Sequence, residues 1–250
     1  MGNHQSEHKD AYISTTLSDE VIEYLMEQLP ECEKREFHID GHTYYEGYYH
    51  CVNTTEHINS IHPYYGVEMD KMPAPKHFVK FMHVFQDLNK SWIDKFYQNL
   101  PKNNVGNIFR KWIDNKWHFA DIAIQIHYGV EISTDQISWH TDTVNSLLHL
   151  ALSLNGRRSL HTKTSIMEQL KGNIYLSSSW SFVHGVSYDE CTNDDKIVAV
   201  QCRFLMTLED WLTISEYVQN DKNKKELIKL VTSVISSANI ILPTIDDLMR

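Results

Sequence analysis

The sequence is poor in cysteine, and the cysteines that it has are widely separated. Four occur in 250 residues, and no two of them form a C-x-x-C pair. Small secreted domains held together by disulfides are much richer in cysteine, and structural zinc sites need closely spaced thiolates. We therefore expect a reduced, cytoplasmic protein. The four residues are Cys32, Cys51, Cys191 and Cys202.

Long hydrophobic runs are also missing. No segment approaches the roughly 20 apolar residues that a transmembrane helix needs, and the first ten residues lack the apolar stretch of a secretory signal peptide. One targeting pattern is present: Gly2 and Ser6 fit the M-G-x-x-x-[ST] signature of N-myristoylation. The alternative is a chance match, because a single acyl chain binds membranes weakly without basic neighbours and this segment continues with Glu7 and Asp10.

Positive charge is scarce. Lysine and arginine number 23 against 33 aspartates and glutamates, which gives a net charge of −10. Nucleic-acid-binding domains usually present a basic face, so the balance argues against a large nucleic-acid footprint. The glycine patterns of phosphate-binding and dinucleotide-binding loops are absent as well.

The most informative stretch is residues 137–142, which contains the triplet His140-Thr141-Asp142. Read as a strand, it points His140 and Asp142 to the same face, because side chains alternate along a strand. A lone His184 follows in the later segment 182–186. Two imidazoles and one carboxylate form the facial triad that holds non-haem Fe(II) and leaves open coordination positions.

Short strands surround this triplet, because several segments are apolar or alternating and are bounded by turn residues. They are residues 119–129, 147–154, 172–177, 181–186 and 196–206. Strands at this spacing are typical of a β-sandwich or barrel. Helical periodicity is found on both sides of them, in residues 18–30, 77–100, 104–116, 209–218 and 222–237.

The prediction is one α+β domain, mainly β in its core and flanked by N-terminal and C-terminal helices. Residues 1–118 would form an N-terminal helical and hairpin elaboration, residues 119–206 the core, and residues 207–250 the C-terminal helices. A single core of this size suits a chain of 250 residues. Residues 58–75, with four prolines and glycines, are predicted to be a loop.

The segment from residue 119 to residue 206 resembles the double-stranded β-helix (jelly roll) of the Fe(II)/2-oxoglutarate-dependent dioxygenases, with the prolyl-hydroxylase and AlkB-like branches nearest. The resemblance implies that His140, Asp142 and His184 hold Fe(II). It also implies that Arg203 pairs with the far carboxylate of 2-oxoglutarate and that Tyr128 hydrogen-bonds the same cosubstrate.

Two features depart from that pattern. Arg203 stands 19 positions after His184, an interval longer than is usual in the family, and Leu205 stands where the family often has a serine. Lys163 is therefore kept as a second candidate for the cosubstrate carboxylate. Arg157 and Arg158 are interpreted as part of a solvated turn.

The implied activity is hydroxylation or demethylation of a small molecule or a protein side chain. Three alternatives remain open. The first is an AlkB-like enzyme acting on nucleic acid, and the second is a cupin-like zinc or manganese enzyme of another reaction class. The third is a binding module that has a jelly roll but no catalytic activity. The oligomeric state is not predicted.

Overall fold

The computed structural model describes residues 12–39, 42–62, 65–129, 137–189 and 196–250. The predicted acylation site at Gly2 and the thiol of Cys191 lie outside these ranges. Within them, no helix combines the length and apolar character required to cross a membrane.

The strands are short, as the sequence predicts. In chain order they are β1 (Tyr12–Thr16), β2 (Glu33–Ile39), β3 (His42–Val52), β4 (Ile58–Ile61), β5 (Glu68–Pro73), β6 (Asp121–Tyr128), β7 (His149–Asn155), β8 (Arg158–Thr162), β9 (Ile166–Gln169), β10 (Asn173–Ser177), β11 (His184–Tyr188) and β12 (Lys196–Arg203). The helices are α1 (Asp19–Met26), α2 (Lys76–Leu88), α3 (Lys90–Asn99), α4 (Asn104–Asp114), α5 (Leu208–Tyr217), α6 (Asp221–Ser237) and α7 (Ile245–Met249).

These strands form two sheets. The large sheet has the order β1-β10-β7-β12-β6-β3-β5-β4, with β2 paired to β3, and the small sheet has the order β11-β8-β9. The last core strand, β12, lies between β6 and β7 and is antiparallel to both. Such crossed antiparallel connections between two facing sheets are those of a jelly roll, so the predicted fold class is confirmed.

Side-chain alternation separates the two faces of the large sheet. Ile122, Ile124 and Ile126 of β6 join the main apolar core that the helices cover. Gln125 and His127, one position out of phase, line the space between the sheets. The side-chain period of a strand is two, so one strand can serve both the core and the site.

Residues 77–100 were predicted to form one long helix, and this prediction is wrong at Asn89. The helix is divided there into α2 and α3. The buried Asn89 amide donates to the carbonyl oxygens of Phe85 and Ile241, and its side-chain oxygen accepts from Trp92 Nε1. A side chain that bonds neighbouring backbone in this way competes with the helical hydrogen-bond ladder.

Two polar segments interpreted as loop or turn are strands instead. Residues 58–75 contain β4 and β5, and Arg158 is the first residue of β8 rather than part of a solvated turn. Arg158 is only 2% exposed. Residues 137–142, predicted to be a strand, make a single bridge in which His140 pairs with His184.

A buried ion pair ties the N-terminal part of the sheet to the core. Lys71 of β5 and Asp121 of β6 form a salt bridge with side chains 2% and 0% exposed. We expect Lys71→Met to destabilise the fold by about 3–5 kcal/mol, because it leaves the buried carboxylate without its counter-charge. Urea unfolding measures this difference. Lys90→Met is the matched control, because its pair with Asp94 is exposed and worth about 0–1 kcal/mol. Equal losses of unfolding free energy in the two variants would show that burial does not strengthen the Lys71–Asp121 ion pair.

Candidate metal centre and its cavity

Between the two sheets lies a cavity of about 310 Å³. Its walls come from both sheets, since β6, β7, β10 and β12 contribute from the large sheet and β8 and β11 from the small one. Lining residues include Gln125, His149, Leu160, Tyr175, His184 and Arg203. A concave space with a few convergent polar groups is the usual form of a ligand site.

The backbone brings the two predicted histidine ligands together. His140 N donates to His184 O at 2.9 Å, and His184 N donates to His140 O at 2.8 Å. Their imidazole rings lie 4.5 Å apart between centres. Gly185 makes this approach feasible, because a Cβ there would meet Ile137 Cγ2 at 2.0 Å. Any larger residue would push the segment of His140 away from β11.

Asp142 completes the cluster. Its Oδ1 lies 3.7 Å from His140 Nε2 and 3.8 Å from His184 Nε2. One ligand atom of each residue lies within 4.8 Å of the others. Asp142 N also donates to Ser179 O, which anchors the segment between the two sheets. The three predicted ligands therefore converge on one point.

The other polar atoms of the cluster are engaged in ways that orient it. His140 Nδ1 lies 2.8 Å from Ser138 O, and His184 Nδ1 lies 3.3 Å from Phe182 O. These contacts assign the N–H to Nδ1 and leave Nε2 as a lone-pair donor in both rings. Ser179 Oγ donates to Asp142 Oδ2 at 2.6 Å, so Oδ1 remains for an ion.

The electrostatic environment favours an ionised Asp142 carboxylate and a neutral His184 imidazole. Burial alone would raise the pKa of Asp142, but the charge of Arg203, with His149, His184 and the Ser179 hydrogen bond, holds it below its usual range. Burial lowers the pKa of His184. Metal ligands must be deprotonated, so Asp142 and His184 are prepared to bind a cation without losing protons first.

Arg203 lies beside the candidate ligand cluster and lines the cavity with His140 and Asp142. It is 3% exposed, its Nη2 donates to Gln201 Oε1 at 3.2 Å, and the same oxygen lies 2.9 Å from His149 Nε2. Burial and then the charge of Arg203 lower the pKa of His149 to about 3, so this imidazole is neutral at physiological pH. His149 itself lines the barrel cavity.

Tyr128 lies away from this cluster. It is the last residue of β6 and is out of phase with Gln125 and His127, which line the cavity. Its ring is instead covered by Lys34 Nζ, 4.5 Å from the ring centre. The structure thus brings His140, Asp142, His184 and Arg203 to one cavity and places Tyr128 on the other face of the sheet. Tyr175 of β10 lines the cavity and supplies a buried phenol there.

Arg158 is the residue that the sequence-based interpretation missed. On β8 it shares a face with Leu160, which lines the cavity, and it pairs across the sheet with Tyr188. Its Nε and Nη2 have no hydrogen-bond partner among the residues that the structure describes. Burial and then the Arg158 charge lower the pKa of His127 to about 3, which places the guanidinium beside the cavity wall. The alternation Arg158-x-Leu160-x-Thr162 could have signalled an inward-facing arginine.

The two arginines lie at different depths. His184 pairs with Thr162 at the level of the cluster, and Arg158 is four residues further along β8. Four residues of strand span roughly 13 Å. Arg203, by contrast, lies close enough to the cluster for its charge to lower the pKa of Asp142. Lys163, the second sequence candidate, is exposed in the turn after β8.

No family model matches the chain, and no curated protein is significantly similar to it in sequence. Among solved structures, it is similar to an oxidoreductase of the 2OG-Fe(II) oxygenase family from Burkholderia pseudomallei, at 10% identity over 78% of this chain and 85% of that one, with a TM-score of 0.45. It is also similar to a dioxygenase for auxin oxidation in rice, at 12% identity over 76% of this chain and 64% of that one, with a TM-score of 0.34.

A third similar structure is a putative 2OG-Fe(II) oxygenase family protein from Caulobacter crescentus, at 8% identity over 86% of this chain and 90% of that one, with a TM-score of 0.34. All three likenesses have low identity and TM-scores below 0.5.

Proposed function

We propose that the protein is an Fe(II)- and 2-oxoglutarate-dependent dioxygenase that hydroxylates or demethylates a small molecule or a protein side chain. One observation carries the proposal. Two imidazole Nε2 atoms and one carboxylate oxygen, from His140, His184 and Asp142, lie within 4.8 Å of one another at the mouth of a jelly-roll cavity. This donor set, confined to one side of a common point, is the facial triad of non-haem iron enzymes.

The donor set fits iron better than a structural zinc ion. Structural zinc sites use four ligands that close the coordination sphere, and they are rich in thiolate. In the described part of the chain the cluster has three ligands and no cysteine. Three ligands from one side leave positions for a cosubstrate and for oxygen, and these positions face the cavity.

The second component of the proposal is the cosubstrate. A keto acid chelated at the metal would extend its far carboxylate into the barrel, where a permanently charged guanidinium can bond it with two parallel donors. The depth of Arg158 supports this residue for that role, as do its Nε and Nη2, which have no partner in the described part of the chain. Arg203, for which the sequence predicts the same role, is the alternative, and Tyr175 supplies a hydroxyl on the cavity wall.

Bound iron would supply the activation of oxygen and the oxidative decarboxylation of 2-oxoglutarate to succinate and carbon dioxide, with one oxygen atom going to the substrate. The chain's own residues would do the positioning. The backbone oxygens of Ser138 and Phe182 hold both imidazoles in the ligating tautomer, and Ser179 fixes the carboxylate. Leu160 and Val186 form an apolar wall that limits water in the cavity.

The test is the stoichiometry of 2-oxoglutarate consumption. The purified protein, supplied with Fe(II), ascorbate and oxygen, is expected to form one succinate for each 2-oxoglutarate consumed, even slowly without the prime substrate. Zn(II) in place of Fe(II) is expected to give none, because zinc is not redox-active. Equal activity with Zn(II), or no binding of 2-oxoglutarate to the metal-loaded protein, would contradict the proposal and favour a hydrolase or a binding module.

The net charge of −10 favours the small-molecule or protein substrate over nucleic acid. A nucleic-acid substrate would need a basic groove, since phosphate contacts supply most of the affinity for nucleic acids.

A further inference from the structure

A second pocket opens directly beside the candidate metal centre. Its volume is about 370 Å³, and it is lined by His140 and Asp142, by Arg203 and by hydroxyl side chains. We call it the outer pocket; the hydroxyl residues in its lining are Ser138, Thr141, Thr143 and Ser146. Arg203 lines both this pocket and the barrel cavity, so it lies where the two spaces meet.

The lining has the chemistry of an oxyanion site. A guanidinium and several hydroxyls offer hydrogen-bond donors. Ser146 is fully buried, and its Oγ has no hydrogen-bond partner among the described residues. A buried polar atom without a partner is uncommon and points to a ligand that would satisfy it. Ser138 and Thr141 are exposed at the rim of the same pocket.

The balance of charge also favours an anion. Asp142 is the single acidic side chain in the lining, and its Oδ1 faces the two imidazoles. The neighbouring cation Lys71 is neutralised by Asp121. With a divalent ion at the cluster, the charge of Asp142 is more than compensated, and Arg203 leaves the outer pocket positive.

We propose that the outer pocket binds a carboxylate or phosphate group of the prime substrate, with Arg203 as the charged donor and Ser146 as a neutral one. This assignment rests on the proposed function and extends it, because Arg158 then binds the cosubstrate and Arg203 binds the prime substrate. The substrate is then a small anionic molecule or an anionic group on a protein. Its reacting C–H bond would be held beside the open coordination positions.

Calorimetry under anaerobic conditions tests the assignment without relying on turnover. The full chain is loaded with Mn(II), which replaces iron without redox chemistry, and is saturated with 2-oxoglutarate. It is then titrated with inorganic phosphate and, separately, with acetate. The variants are R203Q, R203K and S146A. R157Q is the control, because Arg157 is exposed and paired with Glu168.

The wild-type protein is expected to bind at least one of the two anions, and the stronger of the two identifies the substrate group. R203Q is expected to weaken that binding about 10-fold or more, since a hydrogen bond to a charged group is worth about 1.5–3 kcal/mol. S146A is expected to weaken it about 3-fold, while R203K retains part of it and R157Q all of it. Affinity for 2-oxoglutarate is expected to change less than about 3-fold in R203Q, which also shows that the variant is folded.

Three results would overturn the inference. The first is that neither anion binds to wild-type protein that does bind 2-oxoglutarate, which leaves the proposed function intact. The second is that R203Q loses affinity for 2-oxoglutarate but not for the anion. That result would assign Arg203 to the binding of the cosubstrate. The third is that the metal-loaded wild-type protein fails to bind 2-oxoglutarate, which removes the proposed function as well.

Discussion

Replacing Asp142 with alanine is expected to abolish Fe(II)-dependent succinate formation while leaving the fold intact. Asp142 supplies the only anionic ligand of the proposed triad, and its Oδ1 lies within 3.8 Å of both imidazole Nε2 atoms. Loss of groups that merely support metal ligands already costs about 10–100-fold in affinity or activity, so loss of the ligand itself should cost more than about 100-fold. His140→Ala is expected to behave in the same way.

Two variants control for this experiment. Ser179→Ala removes the hydroxyl that donates to Asp142 Oδ2 and is expected to give an intermediate loss, because the ligand remains but is less well oriented. Glu168→Ala removes an exposed carboxylate that is not part of the cavity lining and should have no effect. Metal content after anaerobic dialysis, succinate formation and circular dichroism are measured together. Unchanged turnover in Asp142→Ala would show that the triad does not hold a catalytic metal.

Replacing Arg158 with alanine is expected to raise the 2-oxoglutarate concentration needed for half-maximal turnover by about 100-fold. Two charge-assisted hydrogen bonds in parallel are worth about 3 kcal/mol, which corresponds to that factor. The expectation follows from the burial of Arg158, at 2% exposure, and from its depth below the level of His184. The same variant should bind Fe(II) normally, since Arg158 is not part of the ligand cluster.

Arg203→Ala and Lys163→Ala are the decisive comparisons. Arg203→Ala should change the 2-oxoglutarate requirement much less than Arg158→Ala does, and Lys163→Ala should not change it, because Lys163 is exposed. Direct binding of 2-oxoglutarate to the Mn(II)-loaded variants separates affinity from turnover. A sharp loss in Arg203→Ala alone would assign the cosubstrate carboxylate to Arg203, as the sequence predicts.

The strands and helices could be predicted from the sequence where the local hydrophobic pattern agrees with the tertiary packing. The core strands β6, β7, β10, β11 and β12 are apolar runs between turn residues, and the flanking helices have clear amphipathic periodicity. β8 and β9 were missed because Arg158 and the residues around β9 are polar or charged, as edge strands and cavity-facing strands often are. Local polarity cannot distinguish a solvated turn from a strand that lines a polar cavity.

The residues of the candidate site were likewise predictable only in part. His140 and Asp142 are two residues apart, so strand alternation alone places them on one face, and the structure brings them to His184. Tyr128 is harder to place from sequence, because β6 is buried on both faces and its apolar pattern does not mark the inward one. The break at Asn89 likewise depends on Ile241, 152 residues away in the chain.

The most direct test of the proposed iron centre is a crystal structure of the protein soaked anaerobically with Fe(II) and 2-oxoglutarate. We expect one iron ion bound by Nε2 of His140, Nε2 of His184 and Oδ1 of Asp142. We also expect the keto acid on the same ion, with its far carboxylate on Arg158. Iron bound elsewhere, or an empty cluster with His184 turned away from Asp142, would contradict the proposed iron centre.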